Sequence, residues 1–192
     1  GVTTITGTAT AINAAHQNAE LTSIAANFAA TVTGTATEDE LTALNGYTSG
    51  AIDASAVTAI TAGTADDVVV LINDATVTLA SGVDVTVTGT ATEDELTAIN
   101  TATTGDITAS GITAITAGTA DDVVALISDA TVTLAAGVDV TVTGSAAATD
   151  LTAIATATSG TITASGVTTI TGTAAAINAA HNNLELTSIA SD

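Results

Sequence analysis

The stretch Thr31 to Asn45 reads TVTGTATEDELTALN; it returns as TVTGTATEDELTAIN at Thr86 to Asn100 and as TVTGSAAATDLTAIA at Thr141 to Ala155. Its glycines, Gly34, Gly89 and Gly144, keep a constant step of 55 in the numbering (89 − 34 and 144 − 89). Two periodicities meet at that glycine. Before it Val and Thr alternate, the pattern of a strand with one face buried and one exposed. After it, Thr37-Glu38-Asp39-Glu40-Leu41 sets a Thr at a helix N-cap with an acid three residues on, the arrangement of a capping box. Carboxylates there are also favoured by the positive end of the helix dipole. A strand running into a helix at a fixed period is the mark of a repeat architecture.

A second phrase interleaves with the first. It reads VTAITAGTADDVVVLINDATVTLASGVDV from Val57 and ITAITAGTADDVVALISDATVTLAAGVDV from Ile112, the same step of 55 (112 − 57). Thr64-Ala65-Asp66-Asp67-Val68 is its helix start. Asp121 to Ser128 predicts a helix with Val123, Val124 and Ile127 on the buried side. Thr131 to Ala135 (TVTLA) predicts a short strand, and Ala136-Gly137-Val138-Asp139 a turn. The two ends match as well: GVTTITGTATAINAAHQNAELTSIA from Gly1 and GVTTITGTAAAINAAHNNLELTSIA from Gly166 are offset by 166 − 1, three times the step of 55.

Gly7, Gly34, Gly63, Gly89, Gly118, Gly144 and Gly172 thus mark seven modules, each about half of the repeat step, in two alternating types; residues 1–192 read as a single repeat array. The predicted fold is an α/β solenoid of stacked strand-helix-strand coils, with parallel β-sheets and one helical face. Strands stack at about 4.8 Å and helices at about 8–10 Å, so a two-module period predicts a stagger of alternate helices.

Composition narrows the function. Of 192 residues 46% are hydrophobic, enough to bury a core, yet Phe28 and Tyr47 are the only Phe and Tyr, and Trp and Met are absent. Val, Ile, Leu and Ala must fill a narrow, layered interior. Twenty acids with no Lys or Arg give a net charge of −20. Nucleic acid and anionic membrane surfaces need basic residues, so the expected partners are cations and further copies of the chain, with no nucleic acid and no membrane insertion. No apolar run approaches the roughly 18 residues of a membrane span. Without Cys there is no disulfide or thiolate chemistry. Lacking Lys and Arg, the chain offers no trypsin-type cleavage sites, and lacking Met and Cys it is without the easiest oxidation targets, which suits an extracellular or cell-surface location. The first residue is Gly1 and no signal peptide is present, so a processed product or a segment of a longer chain is expected.

Several residues are candidates for chemistry. Glu38, Asp39, Glu40, Asp66, Asp67, Glu93, Asp94, Glu95, Asp121 and Asp122 would line one edge of stacked coils, where calcium could bridge carboxylates of successive coils; helix capping is the competing explanation. Asp84 and Asp139, in Gly-Val-Asp-Val turns, are expected to hydrogen-bond local backbone. His16 and His181 each precede an acid, Glu20 and Glu185, by four residues and would share a helix face with it. Thr31 with Thr33, Thr76 with Thr78, Thr86 with Thr88, Thr131 with Thr133, and Thr141 with Thr143 would form hydroxyl rows of the kind that ice-binding solenoids present, although Thr is also an ordinary exposed strand residue. Paired carboxylates can hydrolyse glycosides, but acids recurring with the repeat describe a scaffold rather than a pocket, so no catalytic residue and no required cofactor is expected.

The V-T-V-T-G phrases, the richness in Ala, Thr, Gly, Asp and Val, and the absence of Lys and Arg resemble the repetitive regions of very large secreted bacterial surface proteins, including adhesins, S-layer-like proteins and extracellular filaments. The resemblance implies a non-catalytic structural protein, a component of a fibre, sheath or surface layer assembling head to tail through its end coils. A calcium-dependent adhesin spacer and an ice-binding solenoid are the alternatives.

Overall fold

Each helix begins where the sequence places a cap. In the computed structural model, which describes residues 1–183, Thr8, Thr37, Thr64, Thr119 and Thr173 are N-caps whose side chains accept the amide three residues on. They open α1 (Ala9–Gln17), α2 (Glu38–Tyr47), α3 (Ala65–Ile72), α5 (Ala120–Ser128) and α7 (Ala174–His181); α4 spans Glu93–Ala102 and α6 Ala148–Ala157. The cap of α6 is Ala147, which has no side-chain bond to give. Ala147→Thr should therefore stabilise the protein by about 1 kcal/mol, read as a higher urea midpoint at unchanged slope.

Between the helices run parallel strands: β1 (Val2–Gly7), β2 (Ile24–Ala36), β3 (Ile52–Ile60), β4 (Val77–Leu79), β5 (Asp84–Ala91), β6 (Ile107–Ile115), β7 (Val132–Leu134), β8 (Asp139–Ala147) and β9 (Ile162–Thr171). The fold is α/β, nine parallel strands alternating with seven helices among the described residues. The chain divides into two compact units, Gly1–Val87 with Ile99–Ile107, and Thr88–Ala98 with the chain from Thr108 on.

In the first unit β1 pairs with β2, and β2 with β3 from Ala30↔Ile52 to Ala36↔Ile60. On its other side β3 meets two strands, β4 through Ile52↔Val77 to Ala54↔Leu79 and then the start of β5 at Ala59↔Asp84 and Ile60↔Val85. Thus β3 faces the second half of β2 on one side and β4 with the beginning of β5 on the other, a step in strand pairing that says nothing of the helix positions. Helices α1, α2 and α3 pack in succession. In the second unit β6 pairs with β8 at Ala114↔Asp139 and Ile115↔Val140, β8 pairs with β9 from Val140↔Ile162 to Ala147↔Thr171, and α5, α6 and α7 again pack in succession.

The core lies between sheet and helices. In the first unit Phe28, Ala30 and Val32 of β2 and Ile52, Val57 and Ile60 of β3 are buried with Leu41 and Leu44 of α2; in the second, Val140, Val142 and Ile162 are buried with Leu151 and Ile154. Each fully buried aliphatic side chain contributes about 1.5–3 kcal/mol. The other face carries polar residues, with Asp53 and Ser55 exposed and Thr31 and Thr33 half-buried. Gly34, Gly89 and Gly144 have φ of +85°, +89° and +77°, a left-handed conformation that explains their recurrence at the bend.

Some sequence expectations need correction. The buried stripe of α5 is Ala120, Val123 and Leu126, an i, i+3, i+6 row that begins at the first residue after the cap Thr119, while Val124 and Ile127 lie on its flank and are half-buried. β7 is shorter than Thr131 to Ala135, and Asp139 opens β8 instead of closing a turn. The Thr rows are interrupted: Thr33 stands beside Ala56, Thr78 beside Asp53, Thr143 beside Gly166, and Thr31 beside Asp53 on one side, although Thr31 meets Thr6 on the other and Thr141 meets Thr163. Among the described residues no helix is long and apolar enough to cross a membrane.

Candidate functional site

The acids at the helix starts have two geometries. At α2, Glu40 N donates to Thr37 Oγ1 (3.2 Å) and Thr37 N to Glu40 Oε2 (3.0 Å), a complete capping box. The same reciprocal pair joins Thr92 and Glu95 at 2.8 and 3.2 Å. In the alternate modules Asp67 and Asp122 are one methylene shorter. Their carboxylates take the hydroxyls of Thr64 and Thr119, each at 2.6 Å, while their amides donate to those same hydroxyl oxygens. Glu38 and Glu93 are only 4% exposed and accept the hydroxyls of Thr42 and Thr97. Their Cβ atoms lie against Gly63 and Gly118, where a further Cβ would come within 2.8 and 2.7 Å. Asp39, Asp66, Asp94 and Asp121 are exposed. Among the described residues no three of His, Asp and Glu converge as a metal site requires.

Other carboxylates tie strands and turns. Asp84 Oδ1 accepts from Asp106 N (2.9 Å) and Asp139 Oδ1 from Thr161 N (2.7 Å), 22 residues ahead in each case, so these bonds cross to the next strand and are not local. Asp53 and Asp74 do close local turns. The Ser55 hydroxyl and then the Ser55 amide hold the Asp53 carboxyl below the usual carboxylate range; the Thr76 hydroxyl, the Thr76 amide and the Asn45 side chain do the same for Asp74.

A third set of polar residues was not singled out in the sequence. Thr48, Thr103 and Thr158 are buried. Thr48 donates to Phe28 O, while Thr103 and Thr158 donate to Val83 O and Val138 O at 2.6 Å, and each hydroxyl accepts the amide of Gly50, Gly105 or Gly160 at 2.9 Å. The signal was present, since Thr-Ser-Gly, Thr-Thr-Gly and Thr-Ser-Gly recur at the repeat step from Thr48, Thr103 and Thr158.

His16 does not pair with the acid expected for it. Helix α1 ends at Gln17, leaving Glu20 beyond it, its amide donating to Asn18 Oδ1. His16 instead stacks on Tyr47, with ring centroids 4.2 Å apart and planes at 11°, and lies 6.1 Å from Phe28. Gln17 Nε2 donates to the Tyr47 hydroxyl at 2.8 Å. His181 is exposed at the end of α7, and Glu185 lies outside the described residues.

Two apolar clefts of about 280 Å³ complete the inventory. One, in the first unit, lies among Ile72, Leu79, Val83, Ala102 and Thr103; the other, in the second unit, lies among Ile127, Leu134, Val138, Ala157 and Thr158. Every residue of the second set stands one repeat step after its counterpart in the first. The half-buried Ile72 and Leu79, and likewise Ile127 and Leu134, form the rims. Comparison with protein-family models, with curated proteins and with solved structures finds no match.

Proposed function

We propose that the chain is a solenoid whose coils alternate in a double repeat, and that it is a non-catalytic structural protein assembling head to tail through its end coils into an extracellular fibre, sheath or surface layer. Support for the solenoid comes from the recurrence of one arrangement, Thr clamp, capped helix and stepped strand, at the repeat period in both units.

One observation carries the assembly. Gly1 to Thr8 and Gly166 to Thr173 are the same octapeptide, GVTTITGT, and among the described residues β1 pairs only with β2 and β9 only with β8. The matching helices differ in cover: Ile12 of α1 is 1% exposed beneath α2, whereas Ile177, its counterpart three repeat steps on, is 36% exposed on α7. The same side chain is thus buried on α1 and open on α7. Val2 on β1 is 44% exposed. Unpaired strands of this kind are templates for a further strand. The acids serve as caps and strand ties at the repeat period, which favours a scaffold over a catalytic pocket. Durability without Lys, Arg, Met or Cys, and the likeness to secreted surface repeats, support a location outside the cell.

Sedimentation velocity tests it. With a net charge of −20, copies repel one another, so association should be weak at about 0.02 M NaCl and strong near 0.5 M, where the Debye length falls from about 20 Å to about 4 Å. Val2 N donates to Ser23 O, and the register of β1 on β2 passes over Thr3, shifting between Val2 and Thr4. Thr3→Pro should therefore abolish association while leaving the melting temperature within about 2 °C of the parent, since an irregular position on an edge strand is one that a strand proline tolerates. A parent protein that stays monomeric at high salt and millimolar concentration would rule the reading out.

A further inference from the structure

The three ring-bearing side chains of the first repeat occupy the place that the later repeats leave as clefts. Phe28 and Tyr47, advanced by one repeat step, fall on Val83 and Ala102, and by a second step on Val138 and Ala157. His16 is eight residues past the cap Thr8; eight past Thr64 and Thr119 stand Ile72 and Ile127. All six of these counterparts line the two clefts. In the first repeat the niche holds a packed cluster, with Tyr47 flat against His16 and Phe28 fully buried behind them. Where Tyr becomes Ala and Phe becomes Val, about 280 Å³ of space opens in the same position.

We propose that each cleft is a binding site for one small neutral aromatic molecule, which takes the place that Tyr47 fills in the first repeat. The size fits, because an apolar cavity of about 150 Å³ already accepts benzene. Aliphatic walls suit a ring, and the polar edge of the site suits a ring hydroxyl. In the first repeat the Tyr47 hydroxyl receives a hydrogen bond from Gln17, nine residues past its cap; nine past Thr64 and Thr119 are Asn73, whose amide donates one N–H to Val69 O at 2.9 Å and has a second to give, and Ser128, whose hydroxyl is also a donor. Charge selects against anionic rings, since the chain has 20 acids and no Lys or Arg to hold a carboxylate. Each site is complete within its own unit, so binding does not depend on assembly.

Phenol is the probe. Titrated into the full chain and followed by methyl NMR, it should shift Ile72 and Val83 together with Ile127 and Val138, saturating at two molecules per chain, while benzoate at the same concentration shifts none of them. Filling one cleft with the first repeat's rings, Val83→Phe with Ala102→Tyr, should reduce the stoichiometry to one and silence only Ile72. The mirror variant, Val138→Phe with Ala157→Tyr, should silence only Ile127. The opposite change, Phe28→Val with Tyr47→Ala, should raise the stoichiometry to three. Absence of methyl shifts at saturating phenol in the parent overturns the proposal without recourse to any variant. So would cyclohexanol binding as tightly as phenol, benzoate binding equally well, or a stoichiometry of two persisting in a folded, ring-filled variant.

Discussion

Gly160→Ala is expected to destabilise the protein by about 2–6 kcal/mol, although it adds a single methyl group. A Cβ at Gly160 would lie 2.3 Å from Val138 O, 2.6 Å from Val138 C and 2.7 Å from Gly137 O. All three are backbone atoms, so no side-chain rotation relieves the clash, and the two segments must separate. That separation also breaks the Thr158 clamp, in which the buried hydroxyl donates to Val138 O and accepts from Gly160 N. Overpacking of about 1–3 kcal/mol is thereby joined by the penalty of about 1–3 kcal/mol for a buried polar group left without its partner. The control is Gly46→Ala, at a helical position with nothing within 4 Å, which should stabilise by up to about 1 kcal/mol. Urea unfolding of both variants would show opposite signs for one chemical change; equal small effects would mean that the Thr-x-Gly clamp is not built as described.

Phe28→Ala should cost about 3–5 kcal/mol, the range for emptying a fully buried aromatic site. For a chain of this length that corresponds to a fall in melting temperature of roughly 10 °C. Phe28→Val should cost clearly less, because Val is the residue that the second and third repeats carry there, at Val83 and Val138, and those repeats keep the surrounding Thr clamp. The repeats thus supply their own control for which part of the loss is cavity and which is loss of the strand. Calorimetry that found Val as costly as Ala would show that Phe28 does more than fill space, for instance by orienting His16 and Tyr47.

The comparison of Asp67 with Asp84 shows why part of this architecture was legible from sequence and part was not. The cap at Thr64 involves residues three apart, and a local pattern carries a local bond. Asp84 sits in a sequence that reads as a turn, yet its partner is Asp106 N, and only the strand register determines that pairing. The same holds for Thr103, whose acceptor is Val83 O, 20 residues back; its recurrence at the repeat step was visible, but not the carbonyl it meets. The period, the strand-to-helix order and the caps follow from spacing alone. The step by which β3 meets both β4 and β5 does not, because each strand separately satisfies the same alternation. The clefts were hidden for a different reason: they arise from what Ala102 and Val83 lack relative to Tyr47 and Phe28, and a missing side chain leaves no pattern of its own. Helical spacing turns His16 toward Glu20 only if the helix continues past Gln17, where it ends.

Head-to-tail assembly through the end coils makes a prediction about shape that one measurement can check. Electron microscopy of the protein at about 0.5 M NaCl, where surface charge is largely screened, should show unbranched filaments that lengthen with concentration and fail to form with Thr3→Pro. Isolated particles of single-chain mass at every concentration and salt would contradict the assembly.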